Sequence, residues 1–241
     1  MKIVRFILVI ATMFASALTV RAGDTATVEI LGFSADGSTF AFEEYGVQDG
    51  SGFAYANRYY IDTASDSFLP GTPIRVTLQQ DGASVFDARA QAKSQAQSVI
   101  SDTVLARNRG FTAGWNAVTE QSADPFRLAV SPRPVFPSID SPLEFRLTEL
   151  PMPDGAECYG FGEPTGFRLT RIATEPGMQT ETVHEDSAIP QSRGCPLGYA
   201  LTGVQTLYPA EAAPVFAVII AVRKVGFEGP DHRFIAVTGR L

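Results

Sequence analysis

The chain is short of the residues on which most catalysis and most nucleic-acid binding depend. Its 241 residues include two histidines, two cysteines, one tryptophan and three lysines, Lys2, Lys93 and Lys224. Two histidines leave little material for acid–base work near neutral pH. A Gly-x-Ser-x-Gly elbow, a Walker loop, a His-Glu-x-x-His pair and a spaced-Asp calcium loop are all absent. No catalytic residue, metal site or cofactor is therefore assigned. The scarce lysines and singly scattered arginines exclude the clustered positive charge that holds polyanions, so nucleic acid is not an expected partner. Beyond residue 22 no uninterrupted apolar run reaches the length of about 18 residues that a membrane span needs. The chain after that point is not expected to be an integral membrane protein.

What is present begins with an export signal. Met-Lys-Ile-Val-Arg is a short basic start, residues 6–20 are uncharged, and Val20-Arg21-Ala22-Gly23 places small residues where a signal peptidase reads them. Cleavage is expected after Ala22, with an uncleaved anchor as the alternative. No cysteine follows the apolar run, which argues against a lipoprotein. Removing residues 1–22 takes Lys2, Arg5 and Arg21 and no acid, leaving 16 basic residues against 26 acidic, a net charge of −10. An acidic surface keeps an exported protein soluble and says little about partners. The expected location is periplasmic or secreted. Residues 23–241 fit a single mostly β domain, with a candidate internal boundary at 125–137, where four prolines break the chain.

Cys158 and Cys195 lie in Gly- and Pro-rich surroundings, and in an oxidising compartment an isolated pair reads as a disulfide. A metal or redox pair is the alternative, but the 36 intervening residues exclude Cys-x-x-Cys.

The pattern is mainly β. Residues 25–31 alternate, Asp36-Gly37 supplies a tight turn, and Phe40 and Phe42 mark one buried face of a returning strand. Residues 57–62, 74–78, 143–148 and 167–170 also read as strands. Residues 215–225 are apolar on both faces, as in a central strand, and 233–238 answer them as a terminal hairpin. One stretch has helical period: Ser84 caps it with Asp87 three residues on, and the apolar positions from Val85 to Leu105 predict one long amphipathic α-helix over about 84–109. Its Ala88-Ala92-Ala96 stripe suits close packing on a sheet. Residues 175–193 read as a polar excursion tethered at Cys195.

Candidate ligand-binding residues are few. Tyr55 beside a glycine loop and the lone Trp115 offer aromatic platforms or simply plug the core. Glu228, Asp231 and Arg233 around Gly229-Pro230 make a polar edge or a charged hairpin loop that deters pairing. Glu43 and Glu44 offer a carboxylate pair for a cation with Asp49 or Asp62. His184 and His232 stand next to acids, yet adjacent strand residues face opposite ways, so both read as solvated loop histidines.

Residues 32–46, with Phe33-Ser34-Ala35-Asp36-Gly37 and Phe40-Ala41-Phe42, resemble one hairpin of TolB-like propeller repeats. No second copy occurs. Residues 32–62, the run Arg193-Gly194-Cys195-Pro196-Leu197-Gly198-Tyr199 and residues 226–238 together are similar to a bacterial family of predicted secreted proteins of unknown function. That resemblance implies export and a shared fold, and brings no activity.

The expectation is therefore an exported α+β protein, a β-sandwich or partial propeller with one long helix and one disulfide. Its expected role is a non-catalytic binding or envelope-associated module, with an envelope protein, small molecule or glycan as partner. The alternative is a hydrolase of cell-envelope polymers acting through Glu43, Glu44 or Glu228, which needs two carboxyl groups about 5 to 9.5 Å apart.

Overall fold

The computed structural model describes residues 23–241, so the signal segment and its cleavage site lie outside the described residues. A first antiparallel sheet gathers β1 (Thr27–Phe33), β2 (Thr39–Val47), β3 (Ala54–Asp62), β4 (Ser67–Phe68) and β5 (Ile74–Leu78). Two helices follow, α1 (Val85–Ala96) and α2 (Asp102–Arg107). Next in the chain are β6 (Phe111–Trp115), β7 (Arg127–Val130), β8 (Leu143–Pro151), β9 (Thr165–Ile172) and β10 (Glu181–Glu185). The last three strands are β11 (Pro196–Leu207), β12 (Val215–Lys224) and β13 (Asp231–Arg240). The second sheet has the order β13-β12-β11-β6, and the third β10-β9-β8-β7.

β12 is the spine of this arrangement. Alternate strand side chains face opposite ways, so a strand that is apolar at every position needs a cover on both faces. Val215, Ala217, Ile219 and Ala221 pack on Phe33, Phe40, Phe42 and Ile61 of the first sheet. Phe216, Val218, Ile220 and Val222 pack on Phe145, Leu147, Phe167 and Leu169 of the third. The second sheet is thus the middle layer of three. Each Phe or Ile removed from water there contributes about 1.5–3 kcal/mol.

The first hairpin forms as its turn chemistry predicts. Gly37 takes φ +74°, and the Asp36 carboxylate accepts from the Ser34 hydroxyl at 2.6 Å and the Ser38 amide at 3.1 Å. Those bonds, the Ser34 one foremost, hold the Asp36 carboxyl down at about 2. Phe40 and Phe42 are buried, but so are Thr39 and Ala41, because the helices cover the outer face of this sheet. Beyond this hairpin the structure gives the propeller likeness no support, since its sheets stack in layers.

The expected helix over 84–109 is two helices, and only α1 exceeds one or two turns. Ser84 caps α1 through a reciprocal bond with Asp87, and Ala88 and Ala92 bury themselves on Ala54, Ala56 and Val76. The absence of large side chains on that stripe lets backbone approach sheet. The helix stops at Ala96 because local polar groups compete for the chain: Gln97 bonds back to the Lys93 carbonyl at 3.1 Å, and Ser101 caps α2. Arg58, almost wholly buried in β3, fixes the start of α2 through two bonds to Asp102, at 2.8 and 3.0 Å.

A second correction concerns residues 175–193. They contain an ordered edge strand, β10, because its charges pair across to β9: Arg168 with Glu185 at 2.7 and 2.9 Å, and Arg171 with Glu181 at 2.9 Å. Cross-strand ion pairs let a strand with little apolar surface remain in a sheet. Within residues 125–137 the proline-free stretch Arg127–Val130 forms the opposite edge strand, β7.

Candidate functional site

The first sheet, the β12–β13 hairpin and the β9–β10 edge leave a cleft of about 670 Å³ between them. Its walls carry charges of both signs, most of them held by ion pairs or hydrogen bonds.

At one end Arg233 of β13 organises the wall. Its guanidinium donates to the Asp24 carboxylate at 2.6 Å, stands 3.5 Å from Asp231, and lies 4.9 Å from the centre of the Tyr55 ring. Asp231 also accepts from the Asp24 amide at 3.0 Å, so the start of the described chain is tied to the terminal hairpin. Tyr55 is almost wholly buried and its hydroxyl makes no hydrogen bond. Burial pushes that phenol well above its ordinary range, Arg233 acts against the shift, and the charge of Asp24 is close enough to add to it.

Glu44 joins two layers deeper in the same wall. Its carboxylate accepts from the Tyr59 hydroxyl at 2.6 Å, from Asn57 at 3.1 Å and from the Phe234 amide at 2.9 Å. A buried carboxylate with three donors is satisfied rather than reactive.

The other end is built around His184 of β10. Its ring stacks on Phe167 at 4.8 Å, with Nε2 3.2 Å from Asp186 and Nδ1 3.5 Å from Asp66 in the β3–β4 turn. These bonds, that of Asp186 first, raise its pKa to about 9 against the opposing effect of burial. Asp186 also accepts from Arg193 and from the Phe167 amide. Burial would raise its carboxyl, but His184 and Arg193 bring it down to about 2.

Two cations in the cleft lack such partners. The side chains of Lys224 and Arg75 make no ion pair or hydrogen bond with the described residues, and burial, reinforced by Arg233, lowers the Lys224 ammonium below its usual value.

Of the residues singled out from the sequence, Tyr55, Asp231 and Arg233 meet in this cleft. Glu228 stands at its rim on an exposed loop, where its amide donates to Asp49 at 2.6 Å. Trp115 is elsewhere, with its ring over Gly203. It adjoins a separate pocket of about 310 Å³ that holds His232, whose imidazole pKa is lowered from its ordinary value by burial and then by Arg223. Cys158 and Cys195 are bridged, with Cα atoms 5.3 Å apart, and hold the loop after β8 against the start of β11.

Both histidine expectations need correction. His184 is in a strand, half-buried and paired, and His232 is likewise in a strand. Glu185 turns away to Arg168 as adjacent strand residues do, whereas Asp186, two residues from His184, shares its face. His-x-Asp was the available signal. Lys224, Arg75 and Asp66 carried none, since their placement depends on which strands meet.

The sequence model of the family described as predicted secreted protein (DUF2259) matches residues 41–240. The chain belongs to that family. No curated protein matches it, and no solved structure does.

In this DUF2259 member Glu43, Glu44 and Glu228 do not converge on one site. Glu43 and Glu44 leave β2 on opposite faces: Glu43 meets Arg89 of α1 at 2.7 and 3.0 Å, while Glu44 lines the cleft. Glu228 is on neither wall. No cluster of three His, Cys, Asp or Glu suited to a metal ion occurs among the described residues, and none of their helices is long and apolar enough to cross a membrane. His184, with both nitrogens turned to carboxylates and a pKa raised to about 9, is mostly imidazolium at neutral pH and is engaged by Asp186 and Asp66.

Proposed function

We propose that the protein is an exported, non-catalytic binding module, cleaved after Ala22 and working in the periplasm or outside the cell on an envelope component, a glycan or a small molecule. Residues 23–241 act as one domain, and the ligand occupies the cleft bounded by Arg233 and His184.

One observation carries this reading. The cleft is of ligand size and polar, yet its carboxylates and its histidine are held in ion pairs and hydrogen bonds. Catalytic clefts concentrate titratable groups tuned toward neutral pH, whereas here the wall's imidazole is raised to about 9 and the buried carboxylate behind it, Asp186, is held at about 2. Such a frame positions a partner and leaves its bonds alone.

The test is an amide NMR titration of the exported protein with a pool of envelope fragments, muropeptides and oligosaccharides, beside an Ala236→Trp variant that fills the cleft. Fragment-induced shifts that map to the cleft and vanish in the variant support the proposal. Shifts that persist in the variant, or fragments recovered cleaved, contradict it. The mass of the exported chain reads the cleavage site in the same preparation.

A further inference from the structure

The partners of each charged group in the cleft leave a residue. Every carboxylate on its wall already accepts: Glu44 from three donors, Asp49 from the Glu228 amide, Asp66 from the Thr238 amide at 2.7 Å, and Asp231 from the Asp24 amide. Three of the cations, His184, Arg193 and Arg233, are paired with acids. Lys224 and Arg75 remain. Lys224 sits opposite Asp231 in the β12–β13 pairing, and Arg75 opposite Asn57 in the β3–β5 pairing, so they flank the cleft from different sheets. The same cleft carries aromatic surface, with Phe68 opposite Ile61 farther along β3 than Arg75. Tyr59 and Phe68 lie 6.0 Å apart, and Phe68 is 49% exposed although it lines the cleft.

Asp231, Glu44 and Asp24 are near enough to favour the Lys224 charge, yet none is in ion-pair contact with it, and an ammonium held half out of water without a direct partner costs stability. The cost is recovered when an anion arrives, because a charge-assisted bond in a partly desolvated cleft is roughly twice as strong as a neutral one. An exposed aromatic beside such cations offers area to a flat apolar group.

We propose that the cleft takes a small anionic molecule, its carboxylate or phosphate group held between Lys224 and Arg75 and its flat apolar body laid against Tyr59 and Phe68. This rests on the binding-module reading and names the chemistry of its ligand. The protein's overall negative charge slows the approach of an anion, so affinity comes from slow release.

The probes are phenyl phosphate, benzoate, the neutral phenyl glucoside and the cationic benzylamine, titrated into the exported protein by calorimetry with NMR mapping. Phenyl phosphate or benzoate is expected to bind in the cleft, and comparing the two separates phosphate from carboxylate recognition. Arg75→Gln, an exposed change that leaves the fold intact, and Lys224→Met should each weaken that binding about tenfold, with Lys224→Arg restoring most of it. Anions that leave the cleft amides unmoved, anions that bind equally well to both variants, or benzylamine binding as tightly as the anions would overturn the inference. Phenyl glucoside binding in the cleft without the anions would end this inference and leave the binding module standing. Failure of the envelope fragments and of every probe to shift cleft amides would end both.

Discussion

Asp66, in the turn after β3, faces His184 of β10 across 3.5 Å, and so ties the first sheet to the third past the end of the middle layer. The same carboxylate accepts from the amide and hydroxyl of Thr238 in β13, so one side chain touches all three sheets. Its backbone sits at φ +50°, a conformation that non-glycine residues adopt infrequently.

This contact makes stability depend on pH with a definite sign. The His184 pKa rises from 6.5 to about 9 on folding, so its contribution is complete below about 6.5 and disappears as pH climbs toward 9. The contribution is on the order of 3 kcal/mol at most. Urea unfolding at pH 6 and pH 9.5 should show this loss in the natural protein and little of it in His184→Gln. Equal losses in both would place the pH dependence elsewhere.

Asp186 acts at the acid end. Its folded carboxyl is held near 2, below the ordinary 3.8, so its contribution is present above about 4 and is lost as pH falls toward 2. Asp186→Asn should lower stability at neutral pH and flatten the acid limb of the unfolding curve. A variant with an unchanged acid limb would count against this assignment.

The Tyr55 hydroxyl is buried without a hydrogen bond, so removing it removes a desolvated group and no interaction. Tyr55→Phe is expected to be neutral or to stabilise by about 1 kcal/mol. A loss of more than about 1 kcal/mol in chemical unfolding would show that the hydroxyl is bonded, with Asp24 the first place to look.

Beneath α1, Glu43 and Arg58 are both almost wholly buried, 3.6 Å apart, each with one polar atom unpartnered. Glu43→Leu removes the carboxylate facing buried Arg58 Nε and the partner of Arg89, and should cost about 3 kcal/mol although Arg58 keeps its two bonds to Asp102. Glu43→Leu combined with Arg58→Met should recover part of that loss, because both charges are then gone. A double variant less stable than the sum of the singles would contradict the pairing.

The bridge between Cys158 and Cys195 closes a loop across 37 positions. Cys158→Ser with Cys195→Ser should lower stability by about 4 kcal/mol on the chain-entropy account, and reductant should reproduce the drop. Insensitivity to reductant would mean the bridge contributes nothing.

The sequence announced those elements whose pattern is local. Eight apolar positions in a row at 215–222 fit a strand covered on both sides, and Ala88-Ala92-Ala96 fits a helix face that packs closely on its neighbour. The helix end was misplaced because apolar spacing continues through Val99 and Leu105 while the caps at Gln97 and Ser101 interrupt it. Most of the cleft was illegible for a different reason. The Phe234 amide reaches Glu44 across 190 positions and Arg233 reaches Asp24 across 209, and such contacts follow from sheet stacking, which no local pattern encodes.

The cleft account comes down to whether Lys224 is an uncommitted ammonium waiting for an anion. The direct measurement is an NMR pH titration of its side chain, resolved by comparison with Lys224→Arg, with and without saturating phenyl phosphate. The account predicts a value below the ordinary 10.5 in the free protein, as burial and Arg233 require, and a rise when the anion binds. An ordinary value that phenyl phosphate leaves unmoved would contradict it.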